Sequence, residues 1–284
     1  MIDLRSRVCL VTGATHGIGR ATAEALAKMG ATVLLHGRAS LVVGVVCREI
    51  ARSAGAGTVS GVVADFSSLA AVRRFAQELK AQHRRIDVLV NNAGTGMLDR
   101  KETADGFELQ FGVNHLAPFL LTNLLLELLK KSPAARIVNV ASMAYRGAKL
   151  DFEDLQAAHK KYNTLAAYGA SKLANILFTL ELARRLEGGN VTANCLHPGV
   201  VATNIFKNFG ALGKVFSILG RPFMISAARG AKTSIYLASS PDVAKVSGKF
   251  FDRCMEAPLL PHATDMDAAR RLWDVSERMT GLVL

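Results

Sequence analysis

Short runs rich in aliphatic and β-branched residues alternate along the chain with longer stretches of helical period. The pattern predicts strands near 7–12, 31–36, 58–64, 86–91, 135–141, 190–197 and 248–251, and helices near 17–29, 40–54, 67–81, 107–131, 165–187 and 226–238. One strand followed by one helix, repeated, argues for parallel βαβ units. The segments 86–91 (IDVLVN) and 136–141 (RIVNVA) are apolar with little alternation, as expected when helices cover both faces of a sheet. The fold class that follows is α/β, a doubly wound parallel sheet in a three-layer α/β/α sandwich. No Pro/Ser linker, composition break or internal repeat divides the chain, so residues 1–284 are expected to form a single domain.

Two stretches depart from a plain wound sheet. Residues 143–164 lengthen the loop after the fifth strand, and 199–226 lengthen the one after the sixth; both emerge at the carboxyl edge, where such sheets bind ligands. The second carries Phe206, Phe209, Leu212, Val215, Phe216, Ile218, Leu219 and Phe223 among Lys207, Lys214 and Arg221. It is read as a lid over an apolar substrate, with a surface helix packing its apolar stripe as the equal alternative.

Composition narrows the function. The chain has 284 residues, 50% of them hydrophobic and only 7 proline, enough for a large core. Against 23 acidic residues stand 35 Lys and Arg, a formal charge of +12 that favours anionic partners. The basic residues come as scattered pairs (Arg84 with Arg85, Lys130 with Lys131, Lys160 with Lys161, Arg184 with Arg185, Arg270 with Arg271), several near helix ends, so no nucleic-acid surface is expected. Cys9, Cys47, Cys195 and Cys254 show neither CxxC nor metal spacing; buried reduced thiols, a cytoplasmic location and no metal site are the expectation. Asp3, Arg5 and Arg7 interrupt any early apolar run, so no signal peptide is expected. The longest apolar stretch, 116–129, is broken by Asn123 and Glu127 and falls short of the roughly 20 residues a membrane span needs.

Chemistry concentrates at the strand ends. The sequence TGATHGIG, 12–19, follows the first strand and opens a helix, the context in which a glycine turn and a helix N-terminus cradle a pyrophosphate. At the end of the second strand, His36 and Gly37 stand where an NAD enzyme carries a carboxylate for the adenosine ribose, and Arg38 offers a guanidinium suited to a 2′-phosphate. NADP(H) is therefore preferred over NAD(H), with His16 as a second polar contact. Asn91, Asn92, Ala93 and Gly94 end the fourth strand, Asn114 sits early in a long apolar helix, Ser142 ends the fifth strand, and Tyr168 and Lys172 lie four residues apart on one helix face. A tyrosine near pKa 10 is a poor acid or base at neutral pH; lowering it by about 3 units takes roughly 4 kcal/mol, which a lysine ammonium and a cationic nicotinamide ring in a sheltered cleft are expected to supply.

These residues together resemble the short-chain dehydrogenase/reductase family, through the TGxxxGxG turn, the NNAG strand end, the set Asn114, Ser142, Tyr168 and Lys172, and Pro198, Gly199 and Thr203 after the sixth strand. The resemblance is to its retinol-dehydrogenase-like branch, through 105–115 (DGFELQFGVNH), 161–164 (KYNT), 196–201 (LHPGVV) and 247–250 (SGKF). It implies a seven-stranded Rossmann fold and reversible hydride transfer between NADP(H) and an apolar alcohol or carbonyl, with Asn114, Ser142, Tyr168 and Lys172 catalytic. It implies cofactor contacts at Gly13, Thr15, His16, Gly17, Ile18 and Gly19, at Arg38, Asp65 and Phe66, at Asn92, Ala93 and Gly94, at Tyr168 and Lys172, and at Pro198, Gly199, Val201 and Thr203. A homodimer or homotetramer is also implied, and the apolar face formed by Leu116, Phe119, Leu120, Leu124, Leu125 and Leu128 exceeds one core-facing stripe, so self-association through 107–131 and 165–187 is expected. Two other readings share the fold: a redox sensor that binds NADP(H) without turnover, and a scaffold that meets a membrane surface through the basic, aromatic stretch 204–226. The helix after Arg38 departs from the branch, since SLVVGVVC at 40–47 is Val-rich with a central glycine and is expected to leave an apolar patch.

Overall fold

The computed structural model describes residues 3–55, 57–159, 161–199 and 225–282. Its centre is a sheet of strands β1 (Val8–Val11), β2 (Thr32–Gly37), β3 (Thr58–Val63), β4 (Val88–Asn91), β5 (Ala135–Val140), β6 (Val191–His197), β7 (Phe250–Asp252) and β8 (Met255–Glu256) in the order β3-β2-β1-β4-β5-β6-β7-β8. All neighbours are parallel except β7 and β8. The expected seven-stranded sheet is thus corrected to eight. The extra strand exists because Arg253 and Cys254, at φ 49° and 64°, both adopt the left-handed conformation of a two-residue hairpin turn. No Asn-Gly or Asp-Gly pair marks that turn in the sequence. It is held instead by the Cys254 N–H, which donates to the Thr233 hydroxyl at 3.2 Å.

Alternate strand residues enter two cores. Leu10, Leu34, Leu89, Ile137 and Ala193 face helices α3 (Leu69–Gln82), α4 (Leu109–Lys130), α5 (Thr164–Arg185) and α7 (Met266–Thr280). Cys9, Val11, Val33, Leu35, Val90 and Leu196 face α1 (Gly17–Lys28), α2 (Ser40–Ser53) and α6 (Ala227–Ser239). Double coverage is why the strands read as continuous apolar runs. Because β1 pairs with β2 on one side and β4 on the other, the chain reverses direction across the sheet there, opening a crevice at the carboxyl ends. The expected lid lies almost wholly outside the described residues.

The helices begin and end close to their expected positions, with two corrections. Helix α4 starts at Leu109 and runs 22 residues, because a π turn at Gly112–Leu116 carries it through the region of Asn114. Length and composition alone would let it cross a membrane, yet 78% of its apolar window is buried inside this protein, as a core helix. Helix α7 was not expected at all. Asp265 caps it, accepting from the Asp267 and Ala268 N–H groups at 2.9 and 3.0 Å, and Gly281 ends it at φ 58°.

Helix α7 also covers the apolar face from which self-association was argued. Leu116, Phe119, Leu120, Leu125 and Leu128 are buried and Leu124 half-buried within one chain. Trp273 of α7 meets Phe119 edge-on at 5.0 Å and Phe178 at 5.8 Å, and the Arg185 guanidinium lies 4.2 Å from the Trp273 ring. The surplus face is covered from inside. Helix α2 forms as expected, burying Val43, Val46 and Ile50 while Leu41, Val42 and Val45 stay exposed, Leu41 at 85%.

Trp273→Ala is expected to cost about 3–5 kcal/mol, because it removes the ring that seals α4 and α5. Urea unfolding measures this; a loss below about 1 kcal/mol would show that α7 does not hold that face.

Candidate functional site

The phosphate turn is built from β1, the first turn of α1 and the end of β4. Gly13 is left-handed at φ 62°, and a Cβ there would lie 2.8 Å from the Ala93 Cα. A Cβ on Gly19 would lie 2.4 Å from the Asn92 Nδ2 and 2.5 Å from the Gly13 carbonyl oxygen. Neither position admits a side chain. No side chain caps α1 at His16, so its first N–H groups keep their positive potential for an anion. An open cradle of backbone N–H groups suits the pyrophosphate of a dinucleotide, so the residues present fit such a cofactor. The Thr12 hydroxyl locks the cradle to β4: it accepts from the Asn92 and Ala93 N–H groups, each at 3.0 Å, while the Asn92 amide donates to the Thr12 and Gly13 carbonyls at 2.8 and 3.1 Å.

On the adenosine side, Arg38 is exposed and has no partner among the described residues. Asp65 is exposed too, with one carboxylate oxygen accepting from the Ser67 N–H at 2.9 Å and hydroxyl at 2.8 Å. His36 is buried beneath the turn. Its Nδ1 accepts from the Gly13 N–H at 3.2 Å and its Nε2 donates to the Ala64 carbonyl at 3.0 Å, so the ring is neutral with the proton on Nε2. Burial pulls its pKa down to about 4. Phe66 stacks on this ring at 4.2 Å, which turns its side chain into the core and leaves only its backbone for a cofactor. Thr15 and His16 bond to each other at 3.1 Å at the mouth of the turn, and Ile18 packs against Ala231 and Ile225 of the neighbouring segment. Pro198 and Gly199 close β6 next to the same crevice; Val201 and Thr203 lie outside the described residues.

The expected catalytic residues converge beside Gly94. A Cβ on Gly94 would lie 3.3 Å from the Asn114 Oδ1 and 3.6 Å from the Lys172 Nζ. Asn114 sits in the π turn, whose i→i+5 bonding loosens the backbone. Its amide is fully engaged: Nδ2 donates to the Thr95 carbonyl and Ser171 hydroxyl, each at 3.0 Å, and Oδ1 accepts from the Thr95 N–H at 2.7 Å. Ser142 stands close enough to Tyr168 to lower the pKa of its hydroxyl. Lys172 is 3% exposed and donates to the Val140 carbonyl at 3.0 Å.

Burial dominates the electrostatics of the Tyr168 and Lys172 pair. Burial pushes the Tyr168 hydroxyl up to about 12, offset only in part by Ser142, and Lys172 is not among the groups that move it. The ammonium stands 5.6 Å from the tyrosine ring centroid and is itself desolvated, which brings its pKa down to about 8. Burial is the largest influence on both groups, raising the pKa of Tyr168 and lowering that of Lys172.

Supporting residues escaped the sequence reading. Glu108, fully buried, accepts from the Gln110 and Phe111 N–H groups at 3.0 and 2.7 Å and from the Tyr162 hydroxyl at 2.7 Å. That bond joins the start of α4 to the loop before α5, so the helices bearing Asn114 and Tyr168 share one anchor. His197 accepts from the Met143 N–H at 3.3 Å and fixes the turn beginning at Ser142. A lone buried acid and a strand-end histidine give no periodic signal.

Comparison with known proteins agrees with this geometry. A family model described as short chain dehydrogenase matches residues 7–211. The chain is 47% identical to human retinol dehydrogenase 14 over 99% of its own length and 88% of that protein's, and 43% identical to human retinol dehydrogenase 13 over 97% and 85%. Among solved structures, an uncharacterised protein from Mycobacterium paratuberculosis superposes with a TM-score of 0.79 at 34% identity, covering 99% of this chain and 96% of that one. The Pseudomonas aeruginosa RhlG/NADP active-site complex superposes with a TM-score of 0.71 at 26% identity, covering 88% and 95%.

The depressed Lys172 pKa makes a linkage prediction. Between about 8 in the folded chain and 10.5 for the free side chain, the unfolded state binds more protons, so stability from this group rises with pH. Relative to Lys172→Met, the unmodified protein should gain about 2 kcal/mol from pH 8 to pH 10 in urea unfolding. A difference between the two that stays flat over this range would mean that Lys172 keeps an ordinary pKa.

Proposed function

The chain belongs to the short-chain dehydrogenase family, in its retinol-dehydrogenase-like branch, and from that premise we propose that it interconverts an apolar aldehyde or ketone and its alcohol with NADP(H). The observation that carries the proposal is the joint placement of four groups: Ser142 close enough to Tyr168 to lower its pKa, and Lys172 buried next to Asn114 and Gly94 with no carboxylate partner among the described residues. Bound NADP(H) would supply the hydride for reduction or accept it in alcohol oxidation. Tyr168, kept protonated by burial, gives its hydroxyl proton to the substrate oxygen during reduction and takes it back in the reverse direction. Ser142 holds that oxygen. Lys172 restores the tyrosine proton, and the loosened backbone at Asn114, whose own amide is spent on Thr95 and Ser171, connects Lys172 to solvent.

Arg38 supports NADP(H) over NAD(H): it is the exposed guanidinium at the end of β2, and the residue before the turn, His36, offers no carboxylate and is engaged with Gly13 and Ala64. The RhlG complex with NADP is consistent with that choice. An apolar substrate is supported by the retinol dehydrogenases to which the chain is similar. The whole chain acts as one cofactor-binding unit, and its four free thiols, two of them buried in strands, suit a reducing compartment such as the cytoplasm.

Tyr168→Phe keeps the ring, so NADPH affinity should survive while turnover on an apolar aldehyde falls by roughly 10² to 10⁴. Near-normal turnover in that variant would remove Tyr168 as proton donor. Arg38→Asp should reverse the cofactor preference, with NADPH affinity falling about ten- to a hundredfold in a fluorescence titration. Equal binding of NADPH and NADH by the unmodified protein would contradict the assignment to Arg38.

A further inference from the structure

The crevice at the carboxyl edge is not the sole cavity. A second, of about 390 Å³, opens at the opposite edge, where β5 begins at Ala135 rather than where it leads to Ser142. That volume lies within the range of roughly 300–1,000 Å³ seen for small-molecule sites. Leu4, Val88, Ala238 and Ala244 give it apolar walls, and Arg7 and Arg136 stand in the same lining.

The two guanidiniums are unevenly satisfied. Arg7 bonds Asp87 at 3.2 Å, Ser132 at 3.5 Å and the Ala134 carbonyl at 3.4 Å, all through Nη1. Arg136 bonds the Leu237 and Ser240 carbonyls at 3.1 and 2.7 Å, again through Nη1, and thereby caps the end of α6. The Nε and Nη2 groups of both have no partner among the described residues. Asp87 also takes Arg85 at 3.2 Å, and Asp3 at the cavity rim is occupied by Arg5. Two guanidiniums, Arg7 and Arg85, therefore share one buried carboxylate, and none is left for Arg136. Burial lowers the Arg136 pKa and the charge of Arg7 lowers it further, so the two cations are close enough to repel.

We propose that this cavity binds a small organic carboxylate with a short apolar body, its head between Arg7 and Arg136. A carboxylate there would turn a repulsion into two charge-assisted contacts, and the Nε and Nη2 edge of a guanidinium matches its two oxygens. The apolar walls select the body, which a bare inorganic anion lacks. The inference is independent of the activity proposed for the carboxyl edge.

The test uses the full chain and octanoate, followed by titration calorimetry and by hydrogen exchange of the segments 134–136 and 237–244. Octanoate should bind and protect both segments, and octanol, which lacks the charge, should do neither. Arg136→Gln should weaken octanoate binding by about tenfold or more. Because Arg136 also caps α6, Ala244→Trp provides a second variant that fills the cavity and leaves both arginines in place. It should abolish the protection without moving the unfolding midpoint. Octanoate binding that is absent from the unmodified protein, unchanged in both variants, or matched by octanol would overturn the proposal.

Discussion

The Thr12 hydroxyl sits where the first and fourth strands part, and the site depends on what it holds. It accepts two backbone N–H groups from Asn92 and Ala93 and donates to the Val90 carbonyl at 3.2 Å, while the Asn92 amide returns two bonds to the turn. The last backbone bond between the two strands is the Thr12 N–H donating to the Val90 carbonyl at 3.0 Å; past it the strands part and side chains close the gap. Once closed, Gly13 lies against Ala93 and Gly94 lies against Asn114 and Lys172. The phosphate cradle and the proton-transfer residues become two ends of one rigid strip, with the spacing between them set before any ligand arrives.

Below this strip buried polar groups are hydrogen-bonded in series. Asn91 donates to Thr122 and Asn139, Asn139 to Thr179, and Thr179 to the Asn175 carbonyl, linking β4, β5, α4 and α5 through the core. Such a network specifies one register between helices that apolar packing alone would let slide. His36 does the same under the phosphate turn. Desolvation keeps His36 and Tyr168 neutral and weakens the hold of Lys172 on its proton.

Much of this was legible in the chain itself. Strand and helix positions follow from the period of apolar residues, and Asn114, Ser142, Tyr168 and Lys172 fall together because motif spacing reflects the shared crevice. Helix α7 was hidden because its buried stripe uses Ala269 and Ser276 beside Leu272 and Trp273, too few large apolar residues to stand out, and Arg270 with Arg271 suggested only a solvated helix end. Missing it made the apolar surplus of α4 look like an intermolecular surface. Strand β8 was hidden because its turn uses Arg253 and Cys254 where glycine or asparagine would announce it. Helix spacing puts Lys172 on the same face as Tyr168 but says nothing about burial, which acts strongly on both groups.

The central claim is that the Thr12 clamp holds the cofactor cradle against the proton-transfer residues. Thr12→Val keeps the shape but leaves the Asn92 and Ala93 N–H groups without their acceptor, at a cost of about 1–3 kcal/mol for each. Single-turnover oxidation of NADPH with an apolar aldehyde, measured across cofactor concentrations, reads both ends of the strip at once. The account predicts that the variant loses about tenfold or more in NADPH affinity and also in the limiting rate of hydride transfer. A variant that matches the unmodified protein in both would contradict it.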